Sequence, residues 1–211
     1  MMVSFKWALM FLVILMIGGI IAGPLMSRVE QPEYLVLLTE KNIEIRQYRP
    51  MLIAEVTISD TRENAISLGF RQLADYIFGN NQIQQKVEMT APVQQQRSTK
   101  IAMTAPVQQQ ATTDAWLVSF VMPVEYTSQT LPKPMNAEIK IKKIPAKKYI
   151  VIRFSGVNSD KNVKKHEKVL FDYVERNKLA ATKSAKYAFY NPPWTLPPLR
   201  RNEVMFELIA P

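Results

Sequence analysis

Few side chains in this chain can do chemistry unaided. Among its 211 residues there is one histidine, His166, and no cysteine. Thiolate nucleophiles, thiolate metal sites and His-cluster zinc chemistry are therefore excluded, and a Ser-His-Asp arrangement would rest on His166 alone. No nucleophile–base pair, metal cluster or glycine-rich phosphate loop is legible, so the sequence reads as a non-enzymatic binder. The residues suited to binding gather between Tyr187 and Leu199, where Tyr187, Phe189, Tyr190 and Trp194 stand among Pro192, Pro193, Pro197 and Pro198. Prolines hold such a segment extended at low entropic cost, and the aromatics offer a broad apolar face. The segment either walls a pocket or caps the end of the domain.

Other candidates are weaker signals. Arg71, Arg200 and Arg201 can meet acidic groups through charge-assisted hydrogen bonds, though nothing separates them from the many lysines. Ile66, Phe70, Leu73 and Ile77 recur at spacings of four, three and four, one apolar stripe on a helix. Core packing is the default for such a stripe, and it faces a ligand only where a sheet curls away from it. His166, between Lys165 and Glu167, is the weak candidate for a metal ligand; a lone histidine in a charged run more often lies on the surface. Met89 and Met103 fall on alternating positions and read as strand core. Glu203 is either a buried acid or, more simply, the partner of a neighbouring arginine.

These residues must be positioned by a mixed set of elements. Tyr34–Leu38, Ile43–Tyr48 and Leu52–Ile58 read as strands, the second strictly alternating. Asp60 with Glu63 three residues on predicts a capping box for a helix running to about Phe78 and stopped at Gly79. Further strands are expected at Trp116–Met122, Ile139–Ile144, Tyr149–Phe154 and Glu203–Ile209, with a second helix over about Asp160–Lys178. An eleven-residue stretch, Lys86–Gln96, is copied 14 residues later as Lys100–Gln110. Two copies are too few for an array. They read as the two strands of a hairpin with a polar tip, each demoted to edge or bulge near its proline.

The net charge of +9 lies wholly between Lys133 and Lys183, which hold 14 Lys/Arg and 5 Asp/Glu. Such a half can meet an acidic small molecule or anionic membrane, but a solvated lysine-rich face is the plainer reading. It lacks the arginine and aromatic interleaving of a single-strand groove, so no nucleic acid is expected. From Trp7 to Met26 no residue is charged. Twenty helical residues rise about 30 Å, the thickness of a bilayer core. Lys6 precedes the run, while Arg28 and Glu30 nearly cancel after it, so the positive-inside bias sends the rest across the membrane. Residues 1–26 are thus a single-pass anchor, or a signal peptide cut near Ala22-Gly23. Residues 27–33 are a linker, and 34–211 form one extracytoplasmic domain.

Ile43–Tyr48, Lys100–Val107, Phe120–Pro123, Arg153–Gly156, Tyr190–Thr195 and Arg200–Val204, in this order, resemble the SOUL family of haem-binding proteins. The resemblance implies an α+β fold: a twisted antiparallel β-barrel flanked by two helices, built from two related α+β halves. The same architecture is similar to that of bacterial small-molecule effector-binding domains. It further implies binding of haem or another tetrapyrrole in an apolar groove. On this chain that groove would draw on Ile66, Phe70, Leu73, Ile77, Arg71, Tyr190 and Trp194. Another amphiphile, or an anionic membrane surface, is the alternative ligand. The chain departs from the pattern in doubling the Met-Thr-Ala-Pro-Val motif and in having no histidine in its N-terminal half. Ser67 and Asp75 stand where one branch of the family has basic groove residues.

Overall fold

The computed structural model describes residues 29–83 and 98–209. Its elements are β1 (Tyr34–Glu40), β2 (Ile43–Tyr48), β3 (Met51–Ile58), α1 (Arg62–Ile77), β4 (Asn81–Gln82), β5 (Val107–Ala111), β6 (Trp116–Val121), β7 (Lys133–Pro134), β8 (Lys140–Ile144), β9 (Lys147–Phe154), α2 (Asp160–Arg176), β10 (Lys186–Phe189) and β11 (Asn202–Glu207). Nine strands form one antiparallel sheet in the order β1-β2-β9-β11-β10-β5-β6-β3-β8, curled into a half-barrel, while β4 and β7 pair separately.

The strand order exposes two units of one plan. The first is β2-β3-α1-β5-β6 and the second β8-β9-α2-β10-β11, and they join where β5 pairs with β10. Each unit lends its leading strand to the other: β2 pairs with β9, and β8 with β3. The two halves expected from the sequence are thus present, but the barrel stays open, with β1 and β8 as its edges.

Period-two alternation sorts the core. In β9, Ile150, Ile152 and Phe154 face α2 and Tyr149 and Val151 face the other side; in β3, Ala54, Val56 and Ile58 face α1. Residues on both faces are buried, so these strands lie at the centre of a two-sided core. At Gly69 α1 approaches β6 so closely that an added Cβ would lie 2.6 Å from Val118 Cβ.

Several expectations are corrected. The α1 cap is Thr61, whose hydroxyl accepts from Asn64 N; Asp60 sits one residue outside and accepts from Thr61 N. Glu63 does not reach back to close a capping box but accepts from the Asp160 amide, at the first turn of α2. Lys186–Phe189, read as part of a loop, is a strand at the junction of the two units. The second repeat copy is a strand only from Val107 on, because Pro106 gives no N–H to a ladder. Its hairpin partner is β6, rather than the first copy, and its Gln108 and Gln109 are buried. The first copy, Lys86–Gln96, and the apolar run Trp7–Met26 lie outside the described residues. Of the linker, Val29–Glu33 is described and docks onto the fold: the Ala105 amide donates to Glu30 O, and the Val124 amide to the Glu30 carboxylate. No helix among the described residues is long and apolar enough to cross a membrane.

Candidate functional site

The apolar stripe of α1 goes into the core. Leu73 and Ile77 are fully buried against β3 and β6, and the half-buried Phe70 packs edge-on against Phe120 at 5.5 Å. Ile66 packs partly buried toward the second unit. Arg71 is exposed on the opposite side of the helix. These five residues therefore do not line one groove.

On the sheet face away from the helices, polar side chains are buried together. Glu203, fully buried on β11, accepts from Arg46 Nη1 (3.0 Å) and the Tyr190 hydroxyl (2.8 Å) on one oxygen. Its other oxygen accepts from Arg201 Nε at 2.9 Å and lies 2.7 Å from Arg201 Nη2. Arg46 also donates to Glu44 and Tyr48, and its guanidinium lies 4.4 Å from the centre of the Tyr34 ring; that of Arg201 lies 3.8 Å from the centre of Tyr190. Burial works against the Arg46 charge, but Glu203 and Tyr48 more than reverse it and raise its pKa. Both carboxylate oxygens of Glu203 are thus committed to internal donors. Arg201 and Tyr190 belong to this network. Arg200 is oriented by the carbonyls of Thr195 and Pro193, which accept from its Nε and Nη2.

The same burial governs the phenols. Tyr190 is pushed well above its ordinary pKa by desolvation and then by Glu203; Tyr48 is raised, for the same two reasons in the same order, to about 12. Tyr76, Tyr149 and Tyr187 also rise, each first through burial. A phenol held neutral in the fold but free to ionise once unfolded stabilises the native state below about pH 10. That stabilisation is lost as pH climbs from there through the folded value, because the unfolded chain then binds fewer protons. Stability is expected to fall steeply between pH 10 and 12, the 295 nm phenolate signal of most tyrosines appearing only with unfolding. A full phenolate signal near pH 10 from folded protein would contradict this placement.

Beside the network lies a small cleft bounded by Tyr48, Met51, Gln108, Tyr149, Lys186 and Met205. Its volume of about 20 Å³ is room for one water. Lys186 lies 5.4 Å from the centre of the Tyr149 ring, and burial, then Lys147, lowers its pKa. A tetrapyrrole macrocycle does not fit this cleft.

Exposed apolar side chains gather instead at one end of the sheet. There Trp194, Leu196 and Leu199 are 67, 49 and 47% exposed, and the Gly156 amide, donating to Pro197 O, brings the 46% exposed Val157 alongside. Thr195 Oγ1, buried among them, has no hydrogen-bond partner among the described residues. His166 adjoins this end through Asn162, whose side-chain amide donates to the Ser155 and Val157 carbonyls. The His166 ring stacks on Phe154 at 4.0 Å, and its Nδ1 lies 2.8 Å from Asn162 O. A carbonyl only accepts, so Nδ1 is the donor in this contact and Nε2 is the ring nitrogen left outside it. Among the described residues no three His, Asp or Glu side chains cluster as a metal site. The predicted segment is thus divided: Tyr187 and Phe189 are core, Tyr190 joins the Glu203 network, and Trp194 alone of the four is exposed. The network itself was missed, apart from the pairing of Glu203 with a neighbouring arginine, because Arg46 and Glu203 stand 157 residues apart.

Open curled sheet, two helices on one face and two repeated units define an effector-binding-domain-like fold. Among solved structures the C-terminal domain of EcmrR matches with a TM-score of 0.57 at 13% identity, covering 84% of this chain and 99% of that one. EcmrR in a complex with DNA matches at 0.53 and 12% identity, covering 79% of this chain and 57% of that one. These likenesses show the fold alone. No curated protein matches the chain. The model of the family described as SOUL heme-binding protein matches residues 29–207, and the chain belongs to that family.

Proposed function

We propose that this domain binds haem or a related tetrapyrrole without catalysing a reaction, on the exposed surface of Val157, Trp194, Leu196 and Leu199. The observation that carries the reading is this concentration of exposed apolar side chains around a tryptophan, in a chain of the SOUL family. Apolar contact and stacking on Trp194 hold the macrocycle, the exposed Lys161 and Lys165 of α2 meet its carboxylates, and His166 Nε2 is the nitrogen suited to iron. When bound, the group would supply iron-ligand and redox chemistry that the chain itself lacks.

The test is a titration of the full chain with haemin and protoporphyrin IX in parallel. Trp194→Ala is expected to weaken both about tenfold, the worth of one lost aromatic contact of roughly 1.4 kcal/mol. His166→Ala should weaken haemin alone. Unchanged affinity in Trp194→Ala overturns the surface assignment. An amphiphile other than a tetrapyrrole, or an anionic membrane surface, is the second reading, supported by the basic stretch Lys133–Lys183.

The reading extends to the N-terminus. Residues 1–26 anchor the chain in a membrane, 27–33 link, and 34–211 work on the extracytoplasmic side, as the uncharged run Trp7–Met26 and the basic Lys6 before it suggest. The partners are then a tetrapyrrole and the bilayer, with no nucleic acid. Alkaline carbonate washing of membranes from expressing cells tests the anchor; release of the chain into the supernatant would remove it.

A further inference from the structure

The two edges of the sheet are treated differently. β8 carries Lys140, Lys142 and Lys143 and is followed by Pro145, the lysine and proline guards that keep an edge from recruiting another strand. β1 has neither. Its seven residues contain four consecutive apolar side chains, Leu35, Val36, Leu37 and Leu38, 61, 48, 50 and 45% exposed. Its single acid, Glu40, is taken by the Tyr173 hydroxyl. Among the described residues β1 pairs only with β2, so a row of backbone donors and acceptors faces outward along the apolar run.

That combination narrows the occupant. A bilayer interior would cover the leucines but leave the backbone groups of an open edge unpaired, which hydrocarbon does not tolerate. A helix has its own backbone bonds satisfied and offers the edge nothing. Only another strand covers both side chains and backbone.

We propose that β1 pairs antiparallel with β1 of a second copy of this chain, about a two-fold axis at Leu37. This register sets Leu37 against its own copy and Val36 against Leu38. Just beyond the paired strands it brings Glu33, which also holds Arg49 of its own chain at 2.7 Å, toward Lys41 in the β1–β2 turn of the other copy, at both ends. Pairing β1 with β8 of another copy would place the leucines against lysines and lead to open-ended chains. The ladder thereby becomes a continuous eighteen-stranded sheet across the dimer, doubling the nine of each copy. The one irregularity is a register shift between Val36 and Leu38 in the ladder with β2, which leaves Leu37 outside the pairing with β2.

Because the chain has no cysteine, single introduced thiols read the contact without background. Full-length Leu37→Cys, at a half-exposed position, is treated with a short bis-maleimide beside Val124→Cys, exposed on a distant loop, and Lys142→Cys on β8. The expected result is a cross-linked dimer that forms at least tenfold faster in Leu37→Cys than in the two controls. Equal rates in the three variants overturn the proposal, since they report random collision. Sedimentation of the full chain and of Leu37→Lys in the same detergent gives an independent reading. Dimer in the first and monomer in the second is expected; the same mass in both overturns it.

Discussion

Glu203→Ala is expected to lower the unfolding free energy by about 3–5 kcal/mol, the cost of stripping a buried ion pair of one partner. Arg46 is 1% exposed and would keep only the half-buried Glu44 as an acid, while the Tyr190 hydroxyl would lose its acceptor in a dry site. Arg201, more open and bonded to Gln31, can recover water. Urea unfolding followed by circular dichroism measures the loss, and a shift worth less than about 1 kcal/mol would mean the network is solvated. The double replacement Arg46→Met, Glu203→Leu is expected to recover most of the stability, because an apolar pair of similar volume does not have to be desolvated. Loss of the network and loss of tetrapyrrole affinity are separable, since none of these residues belongs to the Trp194 surface.

The second large effect is at the helix–sheet contact. A methyl group added at Gly69 would lie within 2.9 Å of three Val118 side-chain atoms, and Val118 is itself fully buried at the centre of β6. The clash meets a rigid β-branched side chain rather than a flexible tip, so α1 must lift from the sheet. Gly69→Ala is expected to cost about 1–3 kcal/mol despite the better helix propensity of alanine. The Val118→Ala background makes room, and there the same substitution should be neutral or stabilising. A double-mutant cycle in thermal unfolding checks this; additive costs would show that Val118 is not the obstacle.

What the sequence reveals follows from the range of each interaction. Strict alternation gives β2 its bounds at Ile43 and Tyr48, and the four-three-four spacing finds the buried Leu73 and Ile77 of α1 with the half-buried Ile66 and Phe70 at the flank of the packed face. The cap lies one residue beyond the expected Asp60 because Asp60 and Thr61 are both good caps by residue type, and Glu63, which would close a box with Asp60, is engaged by α2 instead. Lys186–Phe189 escaped notice because Tyr187 and Phe189 are buried on one face and Ala188 on the other, which leaves four residues with no period to read. Likewise Tyr190 and Trp194, equivalent as aromatics in a proline-rich stretch, were parted by what surrounds them: a buried carboxylate for one, solvent for the other. The family motifs carried the architecture where local pattern did not.

The lending of leading strands between units has a consequence for how the chain is made. Ile43 of β2 finds its partner at Ile152 of β9, and β3 acquires its last neighbour only at β8. As the chain leaves the ribosome, β2 must wait for more than a hundred further residues before its open side is covered, and loop closure over such separations is slow. The N-terminal unit therefore cannot mature ahead of the C-terminal one. The nascent protein passes through a long interval in which its apolar strands have only chaperones or each other for company.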